Sequence, residues 1–275
     1  MSKTKYIFYR LFTKIIYFLE CLFLKNDTLC PYCSKEQYLV VFRKKRLIDI
    51  CYCLNCYLYW TNPMFKFFKF YDLLYREDDP FIKVPPSYNI DSFDGRFNYK
   101  KKRYIKIIEY FIHKYKIKRA LEFGCSWGYL VYQLRHFGID AVGVEISEIR
   151  RNFGIKKLGL RIEKKIGDLI AKREKFDIIF SFHTLEHLHN ISNIFNYFFQ
   201  LLNKDGILFM EVPHFKKESN FTIIGTTHPL GFTENFFLKN LPKEGFKVKV
   251  YFDYADLIGE SWQGEDNIVV VATKL

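Results

Sequence analysis

Residues 119–134, RALEFGCSWGYLVYQL, restrict the possible folds of this chain more than any other stretch. An apolar run holding one acid passes through Gly124 and Gly128 into a segment whose apolar residues recur at helical spacing, the order of buried strand, tight turn and helix. In an open α/β sheet, such a turn holds a ligand at the carboxyl edge of the strands. The common GxGxG spacing would put a third glycine at 126, where this chain has Ser126 between Cys125 and the bulky Trp127. Pyrophosphate recognition needs glycines so that the backbone can approach the phosphates. Ser126 and Trp127 would crowd a pyrophosphate, and the acid Glu122 would repel it. The turn therefore points to a phosphate-free cofactor whose amino-acid end curves against the loop and whose positive charge suits Glu122. Glu145 ends the next apolar run, AVGVE, 21 residues after Gly124, where a carboxylate accepts hydrogen bonds from ribose hydroxyls. Its competing role is to cap the following helix.

The rest of the chain extends this unit. From residue 98 onward, strands are expected over 120–123, 141–146, 162–166, 176–182 and 207–212, and helices over 99–115, 129–137, 149–158 and 194–202. That alternation implies a mostly parallel sheet with helices on both faces. After a helix over 234–241, the runs FKVKVYFDYA and NIVVVATKL have only a loop between them, which predicts an antiparallel hairpin at the sheet edge. The expected fold is α/β and Rossmann-like, with a seven-stranded sheet over 98–275. Before it stand an N-terminal segment over 1–27, a cysteine-rich module over 28–62 and a connector over 63–97 that carries one helix near 65–76.

Four of the seven cysteines form two CxxC pairs, Cys30 with Cys33 and Cys53 with Cys56, with 19 residues between the pairs. Two such knuckles present four thiolates to one tetrahedral zinc; the competing reading is buried free thiols. With every ligand supplied by protein, the zinc has no open position and its role is to fold a small unit. Metal-type cysteine usage also points to a reducing, cytoplasmic compartment. The net charge of +13 favours anionic partners, although the basic residues are spread along the chain and a solvated surface accounts for them equally. Over 6–24 the chain is apolar but carries Arg10, Lys14 and Glu20, each costing about 2.5–3.5 kcal/mol at a bilayer centre. This is the pattern of a basic amphipathic helix, which either lies on the inner, anionic membrane face or covers an apolar surface of its own protein.

The stretches LEFGCSWGYL, VGVEIS, IGDL, FDIIFSFHTLEHL and LLNKDGILFMEVPH resemble the successive motifs of class I S-adenosylmethionine-dependent methyltransferases, and the resemblance covers roughly 98–275. CPYC and CLNCYLYWTNP resemble the zinc ribbon that precedes this domain in a bacterial subgroup, many of whose members are thought to act on surface-polysaccharide or other small-molecule precursors. The resemblance implies that Glu122, Gly124, Ser126 and Gly128 shape the methionine pocket. It places Glu145 on the ribose, Asp168 near the adenine and His183 at the cofactor's methionine end.

Methyl transfer from a sulfonium is an in-line displacement helped by positioning, and an alcohol acceptor also needs a base. His187, His214 and His228 follow predicted strands at the ligand-binding edge and are the base candidates. His187 has an alternative role in seating its loop. HTLEHL is also similar to the ExxEH metal motif of ubiquinone-pathway O-methyltransferases, which would make His183, Glu186 and His187 ligands of a divalent ion. The expected acceptor is a sugar-linked or phosphorylated small molecule. Nucleic acid, read by the zinc ribbon, is the alternative acceptor, and a non-catalytic cofactor-binding partner protein is a third reading.

Overall fold

The computed structural model describes residues 28–44, 48–64, 95–216, 224–225, 227–260 and 266–275. The amphipathic helix expected over 1–27 and the connector helix expected over 65–76 lie outside the described residues. The chain forms two compact units that do not follow its linear order. One comprises Met1–Val84, Glu186–Ser192 and Phe215–Phe236; the other comprises Pro85–Leu185, Asn193–His214 and Phe237–Leu275.

In the first unit, β1 (Tyr38–Lys44), β2 (Ile48–Cys53) and β3 (Tyr59–Asn62) pair antiparallel, as the alternation of their sequence predicts. A fourth strand, which the sequence did not reveal, is the dipeptide β9 (Leu230–Gly231), antiparallel to β3 with Trp60 opposite Leu230. The Thr61 amide also donates to the Pro229 carbonyl at 2.9 Å. Ile50, Tyr59, Phe215 and Ile224 form the apolar cluster of this unit.

The second unit is built on the helix α1 (Gly95–Tyr115) and a sheet of β4 (Arg119–Phe123), β5 (Asp140–Val144), β6 (Arg161–Glu163), β7 (Phe176–Phe182), β8 (Leu202–Pro213), β10 (Phe246–Tyr251) and β11 (Asn267–Lys274). The strand order is β10-β11-β8-β7-β4-β5-β6. Only β11 runs antiparallel, lying between β8 and β10. The helices between strands are α2 (Tyr129–His136), α3 (Glu148–Leu158), α4 (Ile166–Ala171) and α5 (Ile194–Leu201). After β9 come α6 (Glu234–Asn240) and, between the last two strands, α7 (Ala255–Ile258). One face of the sheet buries Ile107, Ile108 and Phe111 of α1 and Leu130, Val131 and Leu134 of α2 against Ala120, Phe180 and Phe209. Phe111 meets Phe180 and Phe209 edge-on at 5.8 and 5.4 Å between ring centroids. Such aromatic pairs add about 0.5–1.5 kcal/mol each beyond their buried area.

Besides shifts of a few residues at several element ends, three features differ from expectation. The third strand stops at Glu163, and Ile166 already starts α4, because IGDLIA puts its apolar residues at helical spacing with Leu169 inward. The fifth parallel strand starts at Leu202, earlier than the expected 207. The closing pair is antiparallel as expected, but its connection contains the short helix α7 rather than a plain loop.

Candidate cofactor and metal sites

The strand order reverses at β4. The chain moves outward through β5 and β6 and then returns to β7 on the other side of β4, which leaves a crevice beyond the carboxyl ends of β4 and β7. The glycine turn lies there. Gly124 has φ +78°, and a Cβ at this position would lie 2.2–2.8 Å from side-chain atoms of Thr184, the second residue past β7. The loops after the two strands are thus fitted to each other at a position only glycine can occupy.

Ser126 adopts φ +51°, the left-handed conformation of the glycine it replaces. That costs an L-residue about 1–2 kcal/mol. Its amide donates to Glu145 Oε2 at 2.9 Å, and a hydrogen bond to a charged group contributes about 1.5–3 kcal/mol, which offsets the strain. Trp127 does not crowd the turn, because its ring is buried edge-on against Phe153 at 5.2 Å. Cys125 fills the space over Gly143, and burial raises its thiol pKa well above the ordinary range.

Glu145 accepts from the amides of Ser126 and, at 2.8 Å, Ser147. The helix cap is Ser147, whose hydroxyl accepts from the Arg150 amide. Glu145 thus ties the glycine turn to the end of β5. Burial holds its carboxyl above the ordinary range, opposed by the Ser147 and Ser126 amides and by Arg150. Glu122 is buried on β4, whereas Asp168 is exposed in the first turn of α4. Ile146, beside Glu145, leaves 56% of its surface in solvent.

His183 directly follows β7 with φ +46°. Its amide donates to the Glu211 carbonyl at 2.8 Å, and its Nε2 lies 3.0 Å from Glu211 Oε1. Glu211 is fully buried on β8 and also accepts from Asn267, Tyr254 and Arg103, which form an ion-paired network beneath the crevice. The sequence reading missed Glu211, Arg103 and Thr184. The available signal was the single acid inside the apolar run ILFMEVP. His214, just past β8, packs against Phe252 with ring centroids 5.1 Å apart and the rings tilted by 33°.

In the first unit the two cysteine pairs fold alike. Ser34 and Tyr57, each following the second cysteine of its pair, have φ +54° and +67°, and their amides donate to the Cys30 and Cys53 carbonyls. The Cys30 and Cys53 amides donate in turn to the Lys35 and Leu58 carbonyls. Cys30 Sγ lies 3.5 Å from Cys56 Sγ, and Cys33 Sγ lies 3.5 Å from Cys53 Sγ. Four sulfurs about 2.3 Å from one zinc would be roughly 3.8 Å apart, so the cluster is compatible with a zinc ion. Hydrogen bonding among the sulfurs separates their acidities, pulling Cys53 down, pushing Cys30 up to about 12 and raising Cys56 further. Cys51 stands outside the cluster, and burial pushes it up to about 12.

The variant metal trio of His183, Glu186 and His187 does not assemble among the described residues, where His183 Nε2 lies against Glu211 instead. Glu186 and His187 converge instead with His228. His187 Nδ1 contacts the Thr227 carbonyl at 2.6 Å, matching its alternative role in seating a loop.

The reversing sheet, the glycine turn and an acid at the end of the second strand define a nucleoside-cofactor domain of the Rossmann-like class. Residues 97–229 match the methyltransferase domain family. The ubiquinone biosynthesis O-methyltransferase of Pelagibacter ubique (strain HTCC1062) is 29% identical over 167 residues, covering 55% of this chain and 66% of that protein. The aligned part thus falls just short of two thirds of the relative's length. Among solved structures, a SAM-dependent methyltransferase from Archaeoglobus fulgidus has the same fold, with a TM-score of 0.51 and 19% identity over 64% of this chain and 94% of that one. An S-adenosylmethionine-dependent methyltransferase from Clostridium acetobutylicum ATCC 824 gives a TM-score of 0.50 at 15% identity, over 64% and 92%. Residues 97–229 are therefore similar to a methyltransferase domain, and the α/β unit has the fold of S-adenosylmethionine-dependent methyltransferases.

Proposed function

We propose that this chain methylates an oxygen of a small hydroxylated acceptor, with a structural zinc in its N-terminal unit. The observation that carries the cofactor reading is the bond from the Ser126 amide to Glu145, which joins the turn after β4 to the acid after β5 and so supports a nucleoside between them. S-adenosylmethionine supplies an activated methyl group on a sulfonium when bound. Glu145 would accept from the ribose hydroxyls, Asp168 would face the adenine, and Glu122 with the turn over 124–128 would hold the amino-acid end. His183, oriented by Glu211, would line that end. His214 is the base we assign within the α/β unit, taking the acceptor's hydroxyl proton as the new bond to carbon forms. Oxygen as the receiving atom is supported by the relative's name, and a sugar-linked or phosphorylated acceptor by the resemblance to the zinc-ribbon subgroup. Among the described residues, no helix is long and apolar enough to cross a membrane.

Calorimetry with S-adenosylhomocysteine tests the cofactor reading, and absence of binding would sink it. Labelled methyl transfer to nucleotide sugars, phosphorylated metabolites, catechols and RNA then selects the acceptor. Label on RNA alone would replace the small-molecule reading with a nucleic-acid one. His214→Ala should lower turnover while sparing cofactor affinity.

A further inference from the structure

We propose that Glu186, His187 and His228 hold a divalent first-row metal ion, separate from the four-cysteine cluster. Each offers one ligand atom, and the three atoms lie within 4.8 Å of one another. Bonds of about 2.0–2.2 Å from a single ion reach such a set after small side-chain adjustments.

The surrounding backbone prepares these side chains. A carbonyl only accepts hydrogen bonds, so the 2.6 Å contact with Thr227 puts the His187 ring proton on Nδ1 and the lone pair on Nε2. This is the arrangement by which an outer-shell carbonyl fixes a metal-binding imidazole. His228 sits beside it, with ring centroids 4.6 Å apart at 71°. Its own carbonyl accepts from the Gly225 amide at 2.9 Å, and the next residue, Pro229, accepts from Thr61. The segment carrying the third ligand is thereby anchored to the sheet of its unit.

Glu186 is only 2% exposed, so its carboxyl reaches the two imidazoles from the protein side. Two nitrogens and one oxygen suit a borderline ion such as zinc, cobalt or ferrous iron better than magnesium or calcium. Three protein ligands leave a position open to water or to an oxygen-donor ligand. On this assignment His187 and His228 are metal ligands rather than free bases.

The test uses the full chain, given one equivalent of zinc to fill the four-cysteine cluster and then titrated with Co2+ while the absorption spectrum and bound cobalt are followed. Wild type should bind one cobalt whose spectrum lacks thiolate-to-metal charge transfer. Outer-shell partners alone change metal affinity by about 10–100-fold, so His228→Gln or Glu186→Gln should weaken this site by at least about 100-fold. His183→Gln should leave it unchanged. Cobalt binding with thiolate character only, full affinity in both ligand variants, or loss in His183→Gln would each overturn the assignment. Should one ligand variant fail to fold, the other and the wild-type spectrum still decide.

Discussion

Replacing Gly124 by alanine tests how the two loops of the crevice are fitted together. At φ +78° the new residue takes the left-handed conformation, a cost of about 1–2 kcal/mol. Its Cβ would fall 2.2, 2.4 and 2.8 Å from Thr184 Oγ1, Cγ2 and Cβ. Thr184 is itself held by a 3.0 Å hydrogen bond from Oγ1 to the Phe182 carbonyl, so it cannot rotate away without loss. Overpacking of this kind costs about 1–3 kcal/mol, and the two contributions sum to about 2–5 kcal/mol. Adding Thr184→Ala removes the two closest atoms and should restore at least about 1 kcal/mol, a coupling typical of residues in contact. The conformational part remains. Native-state hydrogen exchange of the β4 and β7 amides measures this in the α/β unit alone, free of the other unit's transition. Affinity for S-adenosylhomocysteine should fall in the single variant and partly recover in the double. If the double variant is no more stable than Gly124→Ala, Thr184 is not the constraint and the fitted-loop argument fails.

Glu145→Gln leaves only one oxygen for the two amides that Glu145 now accepts; affinity for S-adenosylhomocysteine should drop about 10–100-fold, the equivalent of one hydrogen bond to a charged group, and calorimetry at neutral pH would show it. Because burial raises the Glu145 pKa, the folded state binds this proton more readily than the unfolded chain. The buried charge therefore costs stability above the folded pKa, and that cost is relieved as pH falls through it. Cofactor affinity should decline on acidification beginning above the ordinary glutamate value of 4.5, and affinity held constant to below that value would contradict the sign. Removing metal with a chelator should abolish exchange protection in β1, β2 and β3 while β4 and β7 stay protected; unchanged protection in all five would remove the zinc from the account. Arg103→Met leaves the buried Glu211 without its cation and should destabilise the α/β unit by about 3–5 kcal/mol in the same exchange experiment.

The α/β architecture was legible because its signals are local. FDIIFSF is a continuous apolar run and forms β7 at the expected bounds, and the acid ending AVGVE sits at the end of β5. The Ser126 turn was legible as a departure from glycine, but the amide–carboxylate bond that makes it tolerable joins residues 19 apart and depends on strand register. The same holds for His183 and Glu211, brought together because Phe182 pairs with Glu211 across two parallel strands. The variant that put His183 in a metal trio came from the resemblance of HTLEHL to an ExxEH motif; that local pattern carries no information about Glu211 or about His228 on a remote segment. β9 is only two residues long, too short to show any periodicity.

That dipeptide sets an order on synthesis. β3 ends at Asn62, but the strand that completes its edge is not made until Gly231. At 5–20 residues per second, the ribosome takes roughly 8–34 s to cover the interval. During that time the nascent cysteine knuckles exist beside an uncovered strand. A metal ion captured early would hold them closed while the α/β sheet is still being translated, so zinc supply would bear on the yield of folded chains more than on the activity of finished ones.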